Sequence, residues 1–283
     1  RSKLVDSVTY DITAWNLMYS YNLKAFPLNE RINIAKKFQR KTIQSNVIDK
    51  PYAYIFRYKS VKDVALLSEL IKNGIKVRVA EKSFSLNEQN FEPGSLLVTQ
   101  RNNERVENFH NTIQSLAQKM DRQVFTSATG FVSKGKDIGA EAVKYLKPPK
   151  VAVLFGNQTT AVSVGEVWHF FEQQIQYPLT QIGTDYFDNI ELNKYNVLII
   201  PEGSYKVIDE EQLSRITNWI NKGGKLVVIG EGLNTFSEKK GFGLKSYATE
   251  SEKNEAEKKE KSLKEKELLR RYEDAERYEI SNM

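Results

Sequence analysis

Between Lys150 and residue 235 the apolar residues fall into a strand–helix–strand–strand–helix–strand order, which restricts the fold more than any other feature of the chain. Three runs carry the strands: Lys150-Val-Ala-Val-Leu-Phe-Gly156, Tyr195-Asn-Val-Leu-Ile-Ile-Pro-Glu-Gly203 and Gly224-Lys-Leu-Val-Val-Ile-Gly-Glu-Gly232. Helices are expected over Val164–Gln174, with Val164, Trp168 and Phe171 as its apolar stripe, and over Asp209–Asn221, which Gly223-Gly224 ends. Short connections between such elements favour a parallel sheet with helices on both faces.

A similar block precedes it. Ala53–Tyr58 is a β-rich run, and Ser60 can cap a helix whose third residue, Asp63, suits the positive N-terminal end. Val64, Leu67, Leu70 and Ile71 recur at helical spacing, Gly74 stops the helix, and Ile75–Ala80 alternates as a strand does. Ser95–Thr99 is a further strand, followed by a helix over Glu104–Met120 and a strand over Gln123–Thr126. The stretch 127–149, with three glycines and Pro148-Pro149, is expected to connect the blocks. The organisation is thus an aromatic-rich linking segment (1–50), a first α/β block with its connection (51–149), a second α/β block (150–245) and a charged segment (246–283).

That last segment is dense in Lys, Glu and Arg. Glu257–Lys261, Glu260–Lys264, Glu267–Arg271 and Glu273–Arg277 are spaced four apart with the acid first, so a long solvated helix is expected over Glu250–Glu279. Its apolar residues are too sparse for a coiled-coil seam; the expectation is a helix docked through its second half, or one that takes a partner.

Composition removes several chemistries. The 283 residues contain no Cys, which excludes disulfides, thiolate catalysis and Cys-ligated zinc. No apolar run reaches the ~20 residues that cross a bilayer, so no membrane span is expected. The net charge of +6 is spread without a basic stripe interleaved with aromatics, and no nucleic-acid partner is expected. The chain opens on Arg1-Ser2-Lys3 with neither initiator Met nor signal peptide, as a piece of a longer protein would.

The chain has two histidines, His110 and His169, that could in principle ligate a metal. His169-Phe-Phe-Glu172 has His-x-x-Glu spacing, but no His follows it, and a catalytic zinc takes three protein ligands. His110 has no partner at ligand spacing, so both read as structural. Gly-x-Ser-x-Gly and phosphate-cradling Gly-rich motifs are absent. Open α/β sheets bind ligands outside the carboxyl ends of their strands. Here those ends carry Gly156 and Asn157, Glu202 and Gly203, and Glu231 and Gly232, the candidate ligand-binding residues. Glu202 and Glu231 facing one crevice could bind a cation or do acid–base work; otherwise they are solvated acids beside turn glycines.

Thr9-Tyr-Asp-Ile-Thr-Ala-Trp15, with Tyr19–Phe26 after it, resembles the segment that follows the catalytic domain in large bacterial zinc carboxypeptidases of the carboxypeptidase A type. Val151–Gly156, Gly165-Glu-Val-Trp168 and Leu198-Ile-Ile-Pro-Glu-Gly203 look like their class I glutamine amidotransferase-like domain, and Arg270–Met283 is similar to the stretch leading into a further C-terminal region. The resemblance implies two Rossmann-like or amidotransferase-like blocks with mainly parallel sheets and a non-catalytic accessory role. The parent would be an exported, periplasmic or extracellular metallopeptidase whose zinc and catalytic residues lie in the preceding domain. No cofactor is then expected in this segment, and its partner is the peptidase domain of the same chain. Gly230, Glu231 and Gly232 stand where an active amidotransferase presents its Cys, so glutamine hydrolysis is not expected. The alternative is a stand-alone module holding a peptide or small molecule near Gly156, Glu202 and Glu231.

Overall fold

The structure, a computed structural model, describes residues 18, 23–33, 48–245, 254–255, 258–268 and 270. The chain forms two compact units, 1–42 and 43–283. In the first, the Leu23 N–H donates to the Met18 carbonyl at 2.8 Å and Phe26 is exposed. The aromatic motif Tyr10–Trp15 lies outside the described residues.

The second unit holds two large sheets. In the first, β1 (Ala53–Phe56) leads through α1 (Val61–Lys72) to β2 (Arg78–Ala80). The hairpin β3 (Phe84–Leu86) and β4 (Gln89–Phe91) precedes β5 (Leu96–Thr99), which leads through α2 (Phe109–Lys119) to β6 (Phe125–Ser127); β7 (Val143–Tyr145) follows. The strand order is β6-β1-β5-β2-β7, and every pairing is antiparallel. The expected parallel, Rossmann-like sheet is therefore corrected for this block. β1 and β2 do run parallel across their helix, but β5 occupies the slot between them. In the same way β5 and β6 run parallel with β1 between them. Two interlocked split β-α-β units result, the ferredoxin-like arrangement.

Burial is the physical reason for the difference. β1 and β5 are buried at every position, a pattern normally left by parallel strands covered on both faces. Tyr54, Phe56, Leu96 and Val98 pack under α1 and α2. Ala53, Ile55 and Leu97 pack under the β3–β4 hairpin together with Ile138 and Val143. A hairpin and a loop do here what helices do in a doubly wound sheet. The stretch 127–149 is accordingly more than a connection, since it supplies β7 and the buried Ile138.

The ends of α1 follow the expected chemistry. The Asp63 carboxylate accepts from the Ser60 N–H and hydroxyl, both at 2.8 Å, and the chain leaves the helix through Gly74 at φ +72°. The Asp63 carboxylate also meets Arg122 at 3.1 Å, tying α1 to the segment before β6. α2 starts later than expected because Asn108 adopts φ +50°, outside the helical region.

The second sheet has the order β11-β10-β8-β9, all parallel. Its elements are β8 (Val151–Phe155), α3 (Ala161–His169), β9 (Leu179–Gly183), β10 (Val197–Ile200), α4 (Glu210–Asn221) and β11 (Lys225–Val228). Ala152, Leu154, Leu198 and Ile200 bury one face against Leu213, Ile216 and Trp219 of α4. Val151, Val153 and Ile199 bury the other against Val167 of α3 and Phe171. Asp209 caps α4 by accepting from the Gln212 N–H at 2.9 Å, and Gly223 at φ +101° ends it.

The expected stripe on α3 shifts. Residues Phe170–Gln174 continue α3 as a π-helical turn, whose wider winding brings residues four apart into line. Ser163, Val167, Phe171 and Ile175 therefore face inward, while Trp168 is 48% exposed.

In the charged segment, the described residues 258–268 are helical and exposed, with Lys264 on Glu260 at 2.7 Å. Leu263 and Leu268 are exposed, and the second half expected to dock lies outside the described residues. Among the described residues no helix is long and apolar enough to cross a membrane.

Candidate functional site at the carboxyl end of the parallel sheet

From β8 the chain moves outward to β9, then returns across β8 to β10, so the strand order reverses between β8 and β10. In open parallel sheets that reversal opens a crevice between the two following loops. Here the loops are laced together. Thr159 and Gly203 form an antiparallel bridge, the Thr160 N–H donates to the Glu202 carbonyl at 2.7 Å, and the Ser204 N–H donates to the Gln158 carbonyl at 3.0 Å. The Gln158 side chain accepts from the Val207 N–H at 3.0 Å, and the Ser163 hydroxyl accepts from the Glu202 N–H at 3.1 Å. Gly203 makes this approach possible, because a Cβ there would overlap the Gln158 carbonyl oxygen and lie 3.0 Å from Thr159 Cα.

Beneath the lacing, Tyr205 is buried and donates to the Pro201 carbonyl at 2.6 Å; burial pushes its phenol pKa up, so it stays a donor. Gly232 completes the closure, since a Cβ there would lie 2.8 Å from the Pro201 carbonyl oxygen.

The six expected residues are thus not walls of one crevice. Gly203 and Gly232 are packing positions around the end of β10. The Glu202 backbone is used in the lacing, and its side chain lies against Gly230, where a Cβ would be 3.1 Å from its Cγ. Glu231 sits exposed on the 3-10 turn Gly230–Thr235, and Asn157 is exposed on the β8 loop. The two loops are bonded to each other through their backbones.

Gly156 lies beside a groove of about 480 Å³ on the α3 side, which it lines together with Phe155, Thr159, Ala161, Val164, Gly165, Trp168 and Gln181. Phe155 is 40% exposed and Trp168 48% exposed along it. Gly156 has φ +130°, and a Cβ there would lie 2.7 Å from the Thr184 hydroxyl oxygen. Thr184 is buried, and that oxygen has no hydrogen-bond partner. Reading by strand ends missed Phe155, Gly165, Trp168 and Thr184. The signal for the groove was Gly165, a glycine inside a helical run with no turn to make.

The histidines lie elsewhere. His110 Nδ1 is 2.9 Å from the Tyr54 hydroxyl, and its ring packs against those of Tyr54 and Phe109. His169 is exposed at the last position of α3, and Glu172 is exposed on the π-helical turn. Among the described residues there is no group of three or more His, Cys, Asp or Glu suited to a metal ion. Comparison of the chain with protein-family models, with characterised proteins and with solved structures finds no match.

Proposed function

We propose that this chain is a non-catalytic accessory region of a longer, exported metallopeptidase of the zinc carboxypeptidase type. Its second block is amidotransferase-like in ancestry, and 246–283 forms a charged helix leading into a further region. The zinc belongs to a preceding domain, which the accessory region supports or to which it brings substrate. The lacing across the β8–β10 switch point carries this reading: Thr159, Thr160, Gly203 and Ser204 tie the loops that a working enzyme of this topology keeps open. The lacing uses backbone groups, Gly203 and the side chains of Gln158 and Ser163, a sound way to stiffen a scaffold and a poor way to build a reaction centre.

Two measurements test it. The purified chain is expected to bind no stoichiometric zinc and to release no C-terminal amino acids from peptides; about one equivalent of zinc together with hydrolysis would overturn the proposal. The gene upstream of Arg1 is expected to encode His-x-x-Glu and a later His in a peptidase domain. An export signal ending immediately before Arg1 would count decisively against it.

A second reading is a ligand-binding module that stands alone. The observation favouring it is the groove beside α3, which stays open while the switch point is closed.

A further inference from the structure

We propose that Tyr145 is a nucleophilic phenol, a site at which an activated acyl donor becomes covalently attached to this chain. The site lies in the first block and is independent of both readings above. Three observations carry it: the donors placed on the phenol oxygen, a cation beside it that lacks a counter-ion, and an open approach to the ring.

The Tyr145 oxygen accepts two hydrogen bonds, one from the Arg78 guanidinium and one from the Asn102 side-chain amide. Among the described residues no group accepts the phenol's own proton. An oxygen surrounded by donors is the setting that favours its ionised form. The fold does not need these bonds. Arg78 and Tyr145 already face each other in the β2–β7 ladder. The loop after β5 is fixed by the buried Asn103, which accepts from the Lys76 N–H at 2.8 Å and donates to the Lys76 and Thr99 carbonyls at 3.1 and 2.8 Å. Asn102 follows at φ +70°, a left-handed conformation that Asn tolerates, with its amide on the phenol.

The cation is Arg78, whose guanidinium lies 4.2 Å from the centre of the Tyr145 ring. Among the described residues it makes no ion pair, and its buried Nε has no hydrogen-bond partner. A partly buried cation without a counter-ion is costly, and an ionised Tyr145 supplies one. Burial alone would raise the phenol pKa, but donation from Asn102 and Arg78, with the charges of Arg78 and Lys76, brings it below its ordinary value. The nearby carboxylates are engaged elsewhere. Glu104 accepts from the Asn102 N–H at 2.8 Å, and Glu81 is paired with Lys144 at 3.0 Å.

The approach is open, since Tyr145 is 43% exposed. Tyr52 and Tyr58 are exposed to nearly the same extent, at 42% and 39%, but neither has this environment. Around Tyr58, burial and the Asp63 carboxylate push the pKa up. An acyl donor suits the Tyr145 cluster because the phenolate needs no further base, and the Arg78 guanidinium stands near the carbonyl oxygen on which charge develops. The phenolate oxygen bonds to the acyl carbon, the bond from that carbon to the leaving group breaks, and the leaving group departs with the proton that Tyr145 released.

The test treats the whole chain with limiting N-acetylimidazole and maps acetyltyrosine by peptide mass spectrometry, with hydroxylamine reversal marking the O-acetyl adducts. A tenfold gain in phenolate is offset by about half on a logarithmic scale through weaker nucleophilicity, so Tyr145 should react at least about threefold faster than Tyr52, and Tyr58 more slowly than either. Asn102→Gly removes one donor and suits the left-handed backbone; Arg78→Met removes the cation and keeps the apolar stem. Each should slow Tyr145 to about the rate of Tyr52 while Tyr52 itself is unchanged, which separates an effect on the phenol from a loss of fold. Tyr145 reacting no faster than Tyr52 would overturn the proposal, as would the parent's Tyr145 rate in both variants.

Discussion

Replacing Gly203 by Ala should strike the lacing at its tightest point. The added methyl would overlap the Gln158 carbonyl oxygen and approach Thr159 Cα to 3.0 Å. Both neighbours are backbone, so no side chain can rotate away, and the two loops must separate. That movement breaks the Thr160-to-Glu202 and Ser204-to-Gln158 hydrogen bonds. Each contributes about 1 kcal/mol net, and the displacement adds about 1–3 kcal/mol. Against this, Ala removes conformational freedom from the unfolded chain and returns about 0.4–1 kcal/mol. The expected net loss is about 2–4.5 kcal/mol. Urea unfolding followed by tryptophan fluorescence reads it, since Trp219 lies in the core of this sheet. Amide hydrogen exchange at Thr160 and Ser204 should accelerate in the variant. Gly165→Ala is the matched control: the same methyl meets nothing within 4 Å and should stabilise by about 0.5–1 kcal/mol. If Gly203→Ala unfolds at the same urea concentration as the parent, with Thr160 and Ser204 still protected, the loops are not held as described.

In the first block, Asp63→Asn removes a carboxylate that is 8% exposed and paired with Arg122, and should destabilise by about 2–4 kcal/mol at neutral pH. Burial alone would raise the Asp63 pKa, but hydrogen bonds from the Lys59 N–H, the Ser60 N–H and hydroxyl, and Arg122 hold it below the usual range. A depressed pKa stabilises above the unfolded value and is lost as pH falls through the folded one. The gap between parent and variant in urea midpoint should therefore close below about pH 4, and a constant gap would refute the assignment. On β7, burial would raise the Tyr145 pKa, yet donation from Asn102 and from Arg78, whose guanidinium lies 4.2 Å from the ring centre, lowers it. The difference in ultraviolet titration between the parent and Tyr145→Phe should show a phenol ionising below pH ~10, and a midpoint above that value would refute this.

What was legible in the sequence was local. Ser60 with Asp63, Asp209 before α4, and Gly74 and Gly223 after their helices all act through atoms within a few residues, and each stands where it was expected. The order of elements in the second block was partly readable, because β8 and β10 are buried on both faces along most of their length. Pairing across the chain was not. β5 enters between β1, 40–46 residues away, and β2, 17–19 residues away, and nothing in Leu96–Thr99 records whether its neighbours run parallel or antiparallel. The β3–β4 hairpin escaped for a different reason. Its loop, Asn87-Glu88, has φ +47° and +61°, a pair that Asn-Gly would have advertised and Glu conceals.

The candidate site shows the same limit at the level of single residues. Gly203 and Gly165 are both glycines in the second block, and sequence spacing made only the first a candidate. Their surroundings reverse that order. Gly203 is glycine because a neighbouring backbone occupies the place of its side chain, which makes it part of the closure. Gly165 is glycine although nothing in the protein occupies that place, and a helix would be more stable without it. A glycine required by packing is explained by the fold, and nothing in the fold explains Gly165.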